Sequence, residues 1–153
     1  MSFLIDTNII LRLAQPEHPM CSEALNALSV LRQREENSYL TAQNLIEFWR
    51  TCTRPIEKNG LGMTVAESDE ELRRLETIFL VLPDTPEVYG QWRRLVVTYQ
   101  VMGVNVHDAR LVAVMLVYGV KNILTFNTRD FSRYSEIVAV HPTSVGTSQR
   151  TPE

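Results

Sequence analysis

Four acidic residues lie beside the predicted strands, in positions where their carboxylates could meet. They are Asp6, Glu47, Asp108 and Asp130. Several carboxylates in one cleft repel one another and raise one another's pKa values, so a fold normally tolerates them only when cations neutralise their charge. Oxygen ligands of this kind suit Mg²⁺ or Mn²⁺ better than Zn²⁺, and such ions can activate water for an in-line displacement at phosphorus. The set therefore predicts phosphodiester hydrolysis.

Each acid also has a simpler interpretation when it is taken alone. Asp6 and Asp108 stand at the starts of predicted helices, where an aspartate N-cap is common and stabilises the helix by about 1 kcal/mol. Asp130 fits a turn residue beside Asn127, and Glu47 fits a solvated helix face with weak ion pairs. The simpler role is favoured for each residue singly, and only the set as a whole favours a shared site.

The elements that would bring the acids together alternate between strands and helices. Short apolar runs predict five strands, at residues 2–5, 38–41, 78–82, 122–126 and 137–140. Helical spacing and helix-start signals predict helices at 7–13, 20–34, 43–52, 65–76, 86–101 and 108–118. This alternation predicts an α/β fold of three layers, α/β/α, with a central parallel sheet of about five strands. Ligands of such sheets bind at the carboxyl ends of the strands, which makes the residues after each strand the candidates for a site.

Length and composition predict one domain, at residues 1–141, followed by a flexible C-terminal tail at 142–153. The net charge of −3 argues against avid non-specific binding to nucleic acid, although bound cations reverse the local sign. The longest apolar run, 111–118, is far shorter than the ~20 residues of a membrane span. With no visible secretory signal, and with Cys21 and Cys52 outside any paired metal motif, a cytoplasmic protein with reduced thiols is predicted. A disulfide between the two cysteines stays open.

Four segments resemble the motifs of PIN-domain nucleases, a family that includes the VapC-type toxins of bacterial toxin–antitoxin pairs. LIDTNI at 4–9 resembles the opening motif, and three further segments resemble the second, third and fourth motifs in the same order: TAQNLIE at 41–47, VHDARLVA at 106–113 and LTFNTRDF at 124–131. The resemblance covers roughly residues 2–141. It implies a PIN fold, RNA as the substrate, and Mg²⁺ or Mn²⁺ at the four acids. By family analogy alone, it also implies a toxin role, an antitoxin that occupies the acidic cleft, and a homodimer.

The resemblance also assigns supporting residues. Thr7 would support the site through its hydroxyl, and Asn127 stands where some family members carry an acid. Whether Asn127 or Asp130 supplies the fourth ligand therefore stays open. Five arginines are candidates for RNA phosphate contacts, although ordinary surface charge is favoured for any one of them: Arg12, Arg50, Arg110, Arg129 and Arg133.

Three residues near the motifs are predicted to have structural roles. His107 neighbours Asp108, but metal ions could activate water without a general base, so a structural or supporting role is favoured. Trp49 and Trp92 could stack on RNA bases. Their apolar helical neighbours favour core packing for both.

Other classes of protein fit the sequence less well. An aspartate after the first strand is typical of haloacid-dehalogenase phosphatases, but these usually carry a second aspartate two residues later, where this chain has Asn8. A receiver domain requires a lysine after a late strand, whereas Lys121 precedes the fourth. A dinucleotide-binding fold requires a Gly-rich turn after the first strand, and none is present there. A PIN-like scaffold that binds RNA or protein without cutting is the remaining alternative, and the presence of all four acids argues against it.

Overall fold

The computed structural model describes residues 1–145. Its five strands are β1 Ser2–Ile5, β2 Asn37–Thr41, β3 Leu80–Leu82, β4 Asn122–Leu124 and β5 Val138–Val140. Its helices are α1 Thr7–Leu13, α2 Cys21–Gln33, α3 Ala42–Thr53, α4 Val65–Ile78, α5 Glu87–Thr98, α6 Val106–Tyr118 and α7 Pro142–Val145. Short 3-10 helices occupy Ile56–Lys58, Gly103–Asn105 and Thr128–Phe131. None of the helices in the described range is long and apolar enough to cross a membrane.

The strands form one parallel sheet in the order β3-β2-β1-β4-β5. The central strand β1 pairs with β2 on one side, where Leu4 lies opposite Tyr39, and with β4 on the other, where Leu4 lies opposite Ile123. From β1, the chain adds β2 and β3 on one side and then β4 and β5 on the other, so the switch point of the sheet lies between β1 and β4. In open parallel sheets this switch point is where ligands bind, and the prediction of a three-layer α/β fold is confirmed.

Alternating side chains of β1 divide the core between the two faces of the sheet. Leu4 packs into a cluster with residues of α5 and α6, whereas Phe3 and Ile5 pack into a second cluster with α1 to α4. Helix α6 contributes five consecutive buried residues, Leu111 to Met115. Each fully buried Leu, Val or Met side chain among them stabilises the fold by about 1.5–3 kcal/mol relative to its exposed state. Both faces of the sheet are thus anchored, which fixes the carboxyl ends of the strands.

Several element boundaries differ from the prediction. Helix α4 runs to Ile78, so β3 begins at Leu80 and not at 78. A capping box in which Thr64 and Glu67 bond each other's backbone N–H starts α4, and buried Leu75 and Phe79 hold its last turn against the core. Residues 78–82 were predicted as one strand because they form a continuous apolar run with no helix breaker before Pro83.

The predicted C-terminal tail begins with residues that form a helix in the structure. Residues 142–145, assigned to a flexible tail, form α7, in which Pro142 and Val145 are buried. The Arg34 guanidinium donates a hydrogen bond to the Val145 carbonyl at 2.8 Å, which attaches α7 to the end of α2. The rest of the predicted tail, 146–153, lies outside the described residues.

Candidate active site

Asp6 follows β1 directly and begins α1 as its N-cap. Its Oδ1 accepts the backbone N–H of Thr7 at 2.8 Å, and its Oδ2 accepts the Thr125 hydroxyl at 2.7 Å. The residue is buried, and burial raises its pKa to about 6 against the opposing effect of these hydrogen bonds; the charges of Glu47 and Asp130 raise it further. Capping and site chemistry are therefore both available to the same side chain.

Asn8 joins the end of β1 to the end of β4. Its amide nitrogen donates to Asp6 Oδ2 at 3.3 Å and to Thr125 Oγ1 at 3.2 Å, and its amide oxygen accepts the backbone N–H of Phe126 at 3.2 Å. The Thr125 hydroxyl in turn accepts the backbone N–H of Asn127 at 3.0 Å. Neither Asn8 nor Thr125 was predicted to serve the site. The available signal was their position, since each lies within three residues of the carboxyl end of a strand at the switch point.

Glu47 is oriented by neutral donors on two elements. The Thr7 hydroxyl donates to Glu47 Oε2 at 2.8 Å, and the Gln43 amide donates to Glu47 Oε1 at 2.9 Å. Thr7 is itself held by the Asn44 amide at 3.1 Å. Asn44 is the buried N3 residue of α3, and forms a capping box with Thr41. The Thr7 hydroxyl, for which a supporting role was predicted, therefore contacts Glu47.

Gln43 links Glu47 to the start of α6. Its amide nitrogen also donates a hydrogen bond, at 2.7 Å, to the carbonyl of His107, which is the residue before Asp108. Its amide oxygen accepts the guanidinium of Arg110 at 3.2 Å, which also pairs with Asp84 at 3.1 Å. Gln43 was not predicted to serve the site. It lies four residues before Glu47, however, and this spacing places the two side chains on one face of the helix.

Asp108 lies in the first turn of α6, three residues after the N-cap Asn105, so it does not cap the helix. Burial raises its pKa to about 7, and the charges of Asp6, Asp130 and Glu47 raise it further, whereas Arg133 opposes them. Asp108 therefore lies within electrostatic reach of the other three predicted acids. Between residues 1 and 145, no ion pair includes any of the four.

Asp130 lies in the 3-10 helix Thr128–Phe131 and is exposed, as is Asn127 just before it. The structure thus places both candidates for the fourth ligand at the mouth of the cluster, and Asp130 is the one whose charge affects Asp6 and Asp108.

The predicted RNA-contacting arginines lie on several different elements. Arg110 is held by Asp84 and Gln43, and Arg12 donates to Gln15 at 2.6 Å. The other three arginines are exposed: Arg50, Arg129 and Arg133.

The carboxylate oxygens of the four acids are suitable ligands for a hard divalent cation. Their positions, however, do not bring three or more of these side chains around a single point. Coordination requires oxygens at about 2.0–2.6 Å from a single ion, and no group of three or more acidic, His or Cys side chains in the described part of the chain is assembled to hold one. Electrostatic influence reaches much further, to about 10 Å, which is why the charges of neighbouring acids raise the pKa values of Asp6 and Asp108 although the carboxylates do not meet at one point. Asp6 and Glu47 are already oriented by neutral donors, and no side-chain hydrogen bond within residues 1–145 restrains Asp108 or Asp130.

The sequence profile of the PIN domain matches residues 3–137. A comparison with curated proteins found no match.

Solved structures similar to this chain come from several bacteria. The VapBC2 complex of Rickettsia felis bound to a promoter DNA fragment aligns with a TM-score of 0.71 at 12% identity, covering 92% of this chain and 98% of that one. VapBC-1 of nontypeable Haemophilus influenzae aligns with a TM-score of 0.67 at 15% identity, covering 94% and 99%. VapC20 of Mycobacterium tuberculosis, described as a toxin that cleaves the sarcin-ricin loop, aligns with a TM-score of 0.60 at 16% identity, covering 88% and 98%. At these identities, the likeness establishes a shared fold.

Proposed function

The chain belongs to the PIN domain family, and from this premise we propose that it is a metal-dependent endoribonuclease with Mg²⁺ or Mn²⁺ as its cofactor. Asp6, Glu47, Asp108 and Asp130 would hold the metal. One observation carries the proposal: four acids share one edge of the sheet, and no ion pair within residues 1–145 neutralises any of them. A structural network of acids would normally contain its own bases, because uncompensated charge in a cleft costs stability.

The residues around the acids would orient them and regulate their protonation. When bound, divalent ions supply Lewis-acid stabilisation of the phosphate and the leaving oxygen. Thr7 and Gln43 fix both oxygens of Glu47, and Thr125 fixes one oxygen of Asp6. Because the pKa of Asp6 is about 6 and that of Asp108 is about 7 before metal binds, protons compete with the cation below these values. Exposed Arg133, close enough to Asp108 to lower its pKa, would contact the RNA phosphate.

The alternative is a non-catalytic PIN-like scaffold that binds RNA or a protein. The observation that favours this alternative is that no three acids, among the residues described, already surround one point. The two functions predict different responses to metal. A nuclease would bind Mn²⁺ through these acids and cleave RNA, whereas a scaffold would retain its ligand in the presence of EDTA.

A toxin role, a cognate antitoxin, a cytoplasmic location and a homodimer are further parts of the proposal. One similar solved structure is described as a toxin–antitoxin complex from Klebsiella pneumoniae. An antitoxin that inhibits this chain would cover the acidic cluster, and an arginine side chain would complement its charge. Co-expression with a small protein encoded beside its gene, followed by a cleavage assay of the purified complex, would test this partnership.

The central test is cleavage of RNA by the purified protein. The protein would be incubated with mixed RNA and Mn²⁺ or Mg²⁺, beside a sample with EDTA and the Asp6→Asn variant. Asp69→Asn is the matched control, because Asp69 forms a surface ion pair with Arg73 at 3.1 Å on α4, away from the cluster. We expect cleavage by the wild type and by Asp69→Asn only. Cleavage that survives both EDTA and Asp6→Asn would refute the proposal, and so would the absence of both cleavage and metal binding.

A further inference from the structure

A groove of about 500 Å³ opens beside the acidic cluster, between the start of α5 and the start of α6. Its walls include Tyr89 and Trp92 of α5 and Val106, His107 and Arg110 of α6. We propose that this groove binds a nucleobase of single-stranded RNA next to the phosphodiester that is cut. The inference rests on the proposed function for its substrate class, and adds to it a subsite at which the RNA is gripped.

The groove and the acidic cluster share one wall. His107 lines the groove and is followed by Asp108. Gln43 donates to the His107 carbonyl at 2.7 Å and to Glu47 at 2.9 Å, and accepts from Arg110 at 3.2 Å. A nucleotide in the groove would therefore be separated from two of the four acids by short connections, from Asp108 through His107 and from Glu47 through Gln43.

The aromatic wall has the geometry of a stacking platform. Tyr89 is 66% exposed, which leaves its ring available to a ligand. The Trp92 ring lies 6.0 Å from that of Tyr89 at an interplanar angle of 31°, and its indole N–H donates to the Val106 carbonyl at 2.8 Å. Trp92 also packs against the core, as the sequence predicted, so it forms a rigid base for the groove. Aromatic side chains of this kind stack on bases of single-stranded RNA.

The opposite wall supplies a fixed cation. The Arg110 guanidinium is held by Asp84 at 3.1 Å and by Gln43 at 3.2 Å. A planar guanidinium can stack on a base or contact a phosphate. Since the single donor of Trp92 and two nitrogens of Arg110 are already occupied within the protein, these two side chains offer a base mainly a stacking surface. We therefore expect the groove to accept any base.

The strand order provides a path for the RNA. Along the carboxyl edge of the sheet, the groove follows β3, Asp6 follows the central β1, and the segment 126–130, which bears exposed Arg129, follows β4. An RNA strand that crosses the acids would thus have an aromatic groove on one side and a polar, arginine-bearing surface on the other. This arrangement favours a nucleic acid over a folded protein as the occupant of the groove.

Trp92 itself can report on the groove. The chain has two tryptophans, so Trp49→Phe leaves Trp92 as the single indole fluorophore, and Asp6→Asn in the same protein prevents cleavage. Tetra-adenylate, tetra-uridylate and an abasic tetranucleotide would be titrated in the presence of Mg²⁺. We expect both base-containing oligomers to quench Trp92, and the abasic oligomer to leave the emission unchanged.

Substitutions in the native-tryptophan Asp6→Asn protein test the same contact by equilibrium affinity. Because Tyr89 is exposed, Tyr89→Ala should fold normally and weaken oligomer binding about tenfold, as expected for the loss of one stacked base. Tyr89→Phe keeps the ring and should retain the affinity. Val97→Ala is the control, because Val97 is 70% exposed on the same helix and does not line the groove.

The outcomes separate this inference from the proposed function. RNA cleavage by the wild type, with no quenching and no effect of Tyr89→Ala, would overturn the base subsite and leave the nuclease intact. Quenching that depends on Tyr89, in a protein whose wild type cuts no RNA, would support the subsite and count against the nuclease. An emission change produced only by a co-purified protein partner would assign the groove to a protein contact and overturn the inference.

Discussion

Replacing Asp6 by asparagine is expected to stabilise the metal-free protein at neutral and alkaline pH while abolishing cleavage. The pKa of Asp6 is about 6 in the fold against an ordinary value of 3.8, so the folded state disfavours the charged carboxylate by about 3 kcal/mol. Asparagine removes that charge. Asparagine also has an NH₂ group in place of one of the two carboxylate oxygens that accept hydrogen bonds from Thr7 and Thr125. The loss of one of these hydrogen bonds lowers the free energy of unfolding by about 1–2 kcal/mol. The net expected gain is about 1–2 kcal/mol at pH 8.

The sign of the effect depends on pH in a defined window. Because the pKa of Asp6 is higher in the folded state than in the unfolded state, the folded wild type binds more protons between about pH 4 and pH 6. The contribution of Asp6 to wild-type stability therefore falls as pH rises through this window, whereas asparagine does not titrate. At pH 4 the lost hydrogen bond dominates and Asp6→Asn is expected to be destabilising. At pH 8 the removed charge dominates and the variant is expected to be more stable.

Urea unfolding in EDTA at pH 4.5, 6 and 8 measures this difference directly. Asp69→Asn serves as the control, since its exposed pair with Arg73 should contribute little at any pH. Added Mn²⁺ should reverse the order at pH 8, because an ion bound only by the folded wild type adds about 2.7 kcal/mol at one hundred times its Kd. A stability difference between wild type and Asp6→Asn that stays constant from pH 4.5 to pH 8 would refute the assignment of a buried, disfavoured carboxylate.

Three further predictions concern the surroundings of the site and the scaffold. Gln43→Leu should weaken Mn²⁺ binding about 10- to 100-fold in calorimetry, because Glu47 loses a donor that orients it; Gln33→Leu, at the exposed end of α2, should not. Gly119→Ala should lower the free energy of unfolding by about 1–2 kcal/mol, because Gly119 has a φ of +70° at the end of α6 and an added Cβ meets nothing within 4 Å, so the cost is conformational alone. The Cys52 thiol, whose pKa burial raises to about 11, should react with a thiol reagent only when urea unfolds the protein, and equal reactivity in the folded state would contradict its placement.

The scaffold was predictable from the sequence because its signals are local. Short apolar runs between helices predicted five parallel strands, and the structure has five in one parallel sheet. The boundary errors have specific causes. Strand β4 was predicted to reach residue 126, but it ends at Leu124. The Thr125 N–H still bonds to the Val140 carbonyl of β5, whereas the Phe126 N–H bonds to the Asn8 side chain and leaves the ladder. The residues that serve the site thus leave the strand one or two positions early.

The neighbours of the acids were not predictable by the same means. The contact between Asn8 and Thr125 spans 117 residues of sequence, and that between Gln43 and His107 spans 64. No local periodicity records such a pairing, since it is set by strand order and by the packing of α3 against α1 and β2. Carboxylates that follow strands are visible in the sequence, but the neutral side chains that hydrogen-bond to them are not.

The choice of neutral partners is itself an argument about function. Thr7, Asn8, Gln43 and Thr125 orient Asp6 and Glu47 through hydroxyl and amide donors, which fix geometry while leaving the negative charge intact. Arg110, which donates a hydrogen bond to Gln43 of this network, is paired with Asp84 outside the cluster. A cluster built for stability would use Arg110 to neutralise Glu47. Without a neutralising base, the fold disfavours the charged forms of Asp6 and Asp108 and raises their pKa values. A bound divalent cation would stabilise these charged forms.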